Sequence, residues 1–229
     1  MTSQMSDIKD ILQYISDNNK LTINLPYSKR SIDIKRYSID SLNVINDIFD
    51  KDNNSEIAIE YLKYLFDIVT TRINEDLNYI DFLYTVFSLR EKENSEYRDL
   101  NLTDILKDIS TKSFDIEEIN AEVVDGTVTY KIELEYPTLQ KLKDLISAAK
   151  TETKDIVFYN TFKFIKSIDI HVQDKRSSVS KPEDLYQLYN VLSYKALDNL
   201  SSYTSTINNN VSDIFQINIE TDTGFLYNI

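Results

Sequence analysis

Residues 127–136, TVTYKIELEY, alternate polar and apolar over ten positions, and Pro137 stops them. A period of two sends successive side chains to opposite faces, so the run reads as a strand with Val128, Tyr130, Ile132, Leu134 and Tyr136 inward. Asp125-Gly126 in front of it is a strong hairpin turn signal, and Phe114 to Val124 is expected to supply the partner strand. Behind it, Pro137 is expected as the first residue of a helix, where its missing N–H would be unsatisfied anyway. That helix would bury Leu139, Leu142, Leu145, Ile146 and Ala149. A chain built around this device must combine antiparallel sheet with helix.

Both periods recur along the sequence. Ile8, Ile11, Leu12 and Ile15 fall at helical spacing behind a possible Ser6 cap, the mark of a short amphipathic helix. Leu21, Ile23 and Leu25, a Pro-Tyr-Ser-Lys turn, then Ile32 and Ile34 make a second hairpin with one buried face. Helices are expected over Leu42, Ile45 and Phe49, over the stripe from Ala58 to Val69, and over Tyr79, Phe82, Leu83, Val86 and Phe87. Residues 91–112 are charged and polar with a modest helical pattern at Leu102, Ile105, Leu106 and Ile109, and are expected as a surface insertion. A helix is predicted over 153–168. Another, opened by Lys181-Pro182-Glu183-Asp184, buries Leu185, Leu188, Leu192, Ala196 and Leu200, and residues 213–229 close the chain as a hairpin turning near Gly224. The expectation is one globular α+β domain over 1–229, with helices packed on β-hairpins and mostly antiparallel strands.

Composition removes most chemistries. Glycines stand only at 126 and 224, which excludes a glycine-rich phosphate loop. There is no cysteine, and the single histidine, His171, sits in no motif, so no catalytic or metal-ligating role is assigned to it. Asp and Glu total 38, so close acidic pairs single out no acid/base dyad. Glu183 and Asp184 suit a helix start. The segment DKDNNSEIAIE lacks the glycine that a calcium loop places sixth. The formal net charge of −13 opposes nucleic-acid binding through the overall field, and no stretch approaches the ~20 apolar residues of a membrane span. No cofactor, metal, nucleic acid or membrane is expected.

Against that acidic background Lys29, Arg30, Lys35 and Arg36 gather on one hairpin, a docking patch for an acidic partner or else a solvated outer face. Sixteen tyrosines, several on apolar stripes, suit protein contacts.

Three segments in order carry a resemblance. LTINLPYSKRSIDIKRYSIDSLNVI runs a Leu-Pro turn through a basic strand into a helix. IDFLYTVFSLREKENSE is an aromatic-rich helix closing on Arg90, Lys92 and Ser95, and KIELEYPTL is a strand running into Tyr-Pro-Thr-Leu. Together they resemble the T4-type bacteriophage baseplate hub assembly proteins. The resemblance implies a non-enzymatic assembly factor or minor hub component, with other phage baseplate hub proteins as partners. It would work in the host cytoplasm during assembly, or in the tail baseplate of the virion. The basic hairpin and the helix end at Arg90 and Lys92 are then the expected contacts. Many members carry cysteine pairs resembling small zinc ribbons, which this chain lacks, so metal binding does not carry over. The alternative reading is a small phage-encoded or host-modulating binding protein unrelated to the tail. A third, a carboxylate-dependent enzyme, requires acids converging in a pocket.

Overall fold

A computed structural model describes residues 20–35, 77–93, 102–114, 116, 121–148 and 153–215, with the single positions 8, 10, 11, 14 and 47. The helices expected over 42–49 and 58–69 lie outside the described residues, apart from Asp47, which is helical. So does the expected C-terminal hairpin beyond residue 215. At the N-terminal end Ile8 and Ile11 are helical as the spacing predicts, but they are exposed rather than buried.

The fold is α+β. The described elements run β1 (Lys20–Asn24), β2 (Ser31–Lys35), α1 (Tyr79–Glu93), α2 (Leu102–Thr111), β3 (Ala121–Asp125), β4 (Val128–Leu134), α3 (Leu139–Ala148), α4 (Thr153–Phe162), β5 (Ile165–Val172), β6 (Lys175–Val179), α5 (Pro182–Val191) and α6 (Tyr194–Phe215). β1 and β2 form a two-stranded antiparallel sheet, and β3 to β6 form a four-stranded one in sequence order.

The alternating run forms β4 as expected, with Tyr130 and Ile132 buried and Lys131 and Glu133 out. Its partner strand is shorter than predicted: β3 begins at Ala121, and Phe114 is instead a buried loop residue. The turn sits one residue later than the Asp-Gly pair suggests. Asp125 pairs with Val128, so Gly126-Thr127 are the central residues, and Gly126 takes the φ of +62° that this first turn position requires.

Pro137 does not start the helix. Thr138 caps α3, its Oγ1 accepting the Lys141 N–H at 3.2 Å, while Asn78 caps α1 through Oδ1 to the Ile80 N–H at 2.9 Å. The two helix starts clasp each other. Tyr79 N–H donates to the Pro137 carbonyl and Leu139 N–H to the Leu77 carbonyl, both at 2.8 Å, and Asn78 Nδ2 donates to the Tyr136 carbonyl at 2.8 Å. The proline ends the strand, leaving its carbonyl for the neighbouring helix.

Four further expectations are corrected. The helix predicted over 153–168 ends at Phe162, and residues 165–179 form the hairpin β5–β6. The register shifts at Glu133/Leu134, with Ser167 opposite Glu133 but Ile165 opposite Leu134. This bulge leaves the buried Ile165 and Ile168 three residues apart, a helical spacing produced by a strand. The helix opened by Pro182 breaks after Val191, and Ser193 Oγ accepts the Ala196 N–H at 3.1 Å to cap a separate helix. That helix, α6, continues through Phe215, so residues 213–215 are helical rather than part of a terminal hairpin. Finally, 102–111 is no loose surface insertion: Ile109 is fully buried and Leu106 nearly so, because α2 lays one face against α1 and α6.

Two apolar clusters result. One gathers the β1–β2 hairpin, α1, α2 and the far end of α6; the other packs α4, α5 and the near end of α6 on the four-stranded sheet. Helix α6 runs through both, contributing Ala196 and Leu200 to the second and Ile207, Val211 and Phe215 to the first. Helix α1 is buried nearly all round. Ile80, Asp81, Thr85, Ser88 and Leu89 join the predicted stripe in the interior.

Candidate partner-binding site

The turn of the first hairpin is where the basic residues and the fold meet. Leu25 N–H donates to the Arg30 carbonyl at 2.8 Å, closing a loop in which Lys29 adopts φ +55°, a left-handed conformation uncommon for lysine. Asp81, fully buried in the first turn of α1, holds this loop from below. One of its carboxylate oxygens accepts the Tyr27 N–H at 2.8 Å and the other the Ser28 N–H at 3.1 Å. A buried carboxylate with both oxygens used this way is a structural anchor. It is also the one buried acid among the described residues, so no converging pair of acids is found there.

The anchored turn forms one wall of a groove of about 770 Å³. Pro26, Tyr27 and Lys29 face the C-terminal end of α2 and the loop after it, Thr111 to Phe114, while Leu134, Glu135 and Tyr136 close the far side. Three of the lining residues are aromatic. Tyr27 meets Phe114 at 6.5 Å between ring centroids and Tyr136 edge-on at 6.1 Å, and Tyr136 meets Phe164 at 6.4 Å. Lys29 is exposed at the mouth, and Lys112 stands opposite with Asp108 at 2.9 Å. Glu135 is neutralised from beneath by Lys141, whose Nζ donates to its Oε1 at 2.7 Å and also to the Ile165 carbonyl. Burial lowers the Lys141 pKa from its ordinary value, and the hydrogen bond to Glu135 opposes that shift. The groove thus offers ring faces and cations in a chain that is otherwise strongly acidic.

A smaller groove of about 290 Å³ lies against β1. It is lined by β1 residues Leu21 to Asn24, by Tyr84, Ser88 and Glu91 of α1, and by α2.

Behind the aromatic wall lies Lys163, 5% exposed, in the turn between α4 and β5. Its Nζ lies 5.2 Å from the Phe164 ring centroid, 5.7 Å from Tyr159 and 5.9 Å from Tyr79. Burial pulls its pKa down to about 8, and burial pushes Tyr79 up to about 12 and Tyr159 well above the ordinary tyrosine value. The rings supply the partial negative charge that no carboxylate provides.

Of the six basic residues singled out in the sequence, Lys29 lines the larger groove, and Arg30 is half-buried beside it. Lys35 ends β2 opposite Lys20, and its side chain, like those of Arg90 and Lys92 near the end of α1, lies outside what is described. Arg36 lies wholly outside it. The sequence reasoning passed over Tyr27, Lys112, Phe114, Glu135, Lys141 and Lys163. Only Lys163 carried a local signal, a lysine set between Phe162 and Phe164. Among the described residues no group of acids and histidine could hold a metal ion, and no helix is long and apolar enough to cross a membrane. Compared with known proteins, the chain matches no family model, no curated protein and no solved structure.

Proposed function

We propose that the chain is a non-enzymatic, protein-binding assembly factor or minor component of a T4-type phage baseplate hub, acting through the groove at its first hairpin. The observation that carries the binding part is the groove itself. Tyr27, Phe114 and Tyr136 offer rings and Lys29 and Lys112 offer cations, on a turn fixed by Asp81. Aromatic side chains are enriched at protein interfaces, the two lysines add complementarity to an acidic partner, and a preformed loop loses little entropy on binding. The baseplate part rests on the three ordered sequence marks.

The test is a pull-down with the separately produced hub proteins encoded near the gene, using the wild-type chain and a Tyr27→Ala variant. Capture of one hub protein by the wild type, and at least tenfold weaker capture by the variant, is the expected result, since truncating a tyrosine at the centre of an interface costs about 2 kcal/mol or more where it is a hot spot. Capture of none removes the baseplate reading. A gene lying away from tail genes would favour the small binding protein instead.

A further inference from the structure

We propose that the outer edge of β6 is a strand-addition site that takes an extended acidic segment of a partner protein, a surface separate from the groove and independent of it.

The two-residue turn Gln173-Asp174 closes on Val172 and Lys175, which makes them a hydrogen-bonded pair. Pairs in an antiparallel ladder alternate, so Ile170/Ser177 and Ile168/Val179 are bonded too, whereas His171/Arg176 and Asp169/Ser178 are not. The N–H and C=O groups of Arg176 and Ser178 therefore point away from the sheet. Counting inward from the other two-residue turn, Gly126-Thr127, sends the backbone groups of Glu122 and Val124 off the opposite edge.

The two edges are treated differently. On β3, helix α6 packs alongside and Tyr203 Oη donates to the outward Glu122 carbonyl at 3.2 Å, which seals that edge. On β6, Lys175, Arg176, Ser177 and Ser178 are all exposed, and no described element other than β5 packs closely on the strand. An open edge is a template for another strand.

Charge selects the occupant. Lys175 and Arg176 project to opposite faces of the sheet. A second copy of β6 would add two more cations and no acid to the seam, and each whole chain carries −13. An incoming strand with two consecutive acids, one opposite each cation, satisfies both faces at once. The same residues that guard the edge against self-pairing make it complementary to an acidic partner.

The test uses the full chain and two acetylated octapeptides, Thr-Val-Thr-Glu-Glu-Thr-Val-Thr and its counterpart with lysine for both glutamates, with amide exchange read residue by residue. The expected result is slowing of exchange at Arg176 and Ser178 by about tenfold with the acidic peptide and no slowing with the basic one. Ser178→Pro removes an outward donor that the sheet does not use, so it should keep the wild-type fold and lose the protection. A Lys175→Glu, Arg176→Glu double variant should reverse the preference between the peptides. Protection that is absent from β6, equal for both peptides, or undiminished in a folded Ser178→Pro chain would overturn the proposal.

Discussion

The two hairpins β1–β2 and β5–β6 end in the same kind of departure from ordinary backbone, yet they are held differently. Lys29 at the first turn and Gln173 at the second both have left-handed φ, +55° and +53°, without being glycine. Such a conformation costs a non-glycine residue roughly 1–2 kcal/mol. At the first turn a buried carboxylate clamps the adjacent backbone, and the strained residue lies on a groove. At the second, the turn rides on ladder pairing alone and its side chains face solvent. Strain that is locked from the interior positions a surface, whereas strain on a free-standing turn only lowers stability.

The largest difference between the two hairpins lies at Asp81. Asp81→Ala leaves two backbone donors without their charged acceptor and should lower stability by about 3 kcal/mol, read from denaturant midpoints. It should also raise exchange at the Tyr27 and Ser28 amides far more than at Val172 or Lys175. Uniform loosening of both hairpins would contradict the clamp.

Lys163 separates the interior from both hairpins. Its folded pKa of about 8 lies below the unfolded value of 10.5, so between those values the unfolded chain holds more protons and stability rises with pH. Tyr79, raised from 10.0 to about 12, works in the opposite direction: its contribution is full below pH 10 and is lost as pH climbs toward 12. Stability should therefore climb from pH 8, peak near pH 10 and then fall. Lys163→Met should gain about 2 kcal/mol at pH 7, leave only the shallower climb that the lowered Lys141 contributes, and keep the fall, as urea unfolding across that range would show.

The two strained turns differ in their smallest effects. Gln173→Gly and Lys29→Gly should each gain about 1 kcal/mol from relief at the turn. Only the Lys29 change should weaken partner binding. Thermal melts compared with binding curves for the two variants would read out that difference.

The sequence announced what depends on local period. The β3–β4 hairpin, β1–β2 and the buried face of α3 follow from alternation and helical spacing, and the glycine turn was misplaced by one residue only. What escaped was set by distant partners. The bulge opposite Glu133 gave Ile165 and Ile168 a helical spacing, and a Gln-Asp turn carries no glycine to mark a hairpin. Ser193 capped a new helix inside an unbroken apolar pattern. In α2 a mostly polar composition concealed two residues that enter the core. For the groove, the basic turn was legible at Lys29, but Tyr27, Phe114 and Tyr136 stand far apart in the chain and are brought together only by the tertiary fold.

The claim that joins these points is that the clamped first hairpin is the partner-binding surface. Its most direct test is calorimetric titration of each separately produced baseplate hub protein into the wild-type chain and into Lys29→Glu, an exposed change that leaves the Asp81 clamp intact. The prediction is measurable binding of one hub protein and a Kd at least tenfold weaker for the variant at the same thermal midpoint. Binding of none of them, or equal binding by both chains, would contradict it.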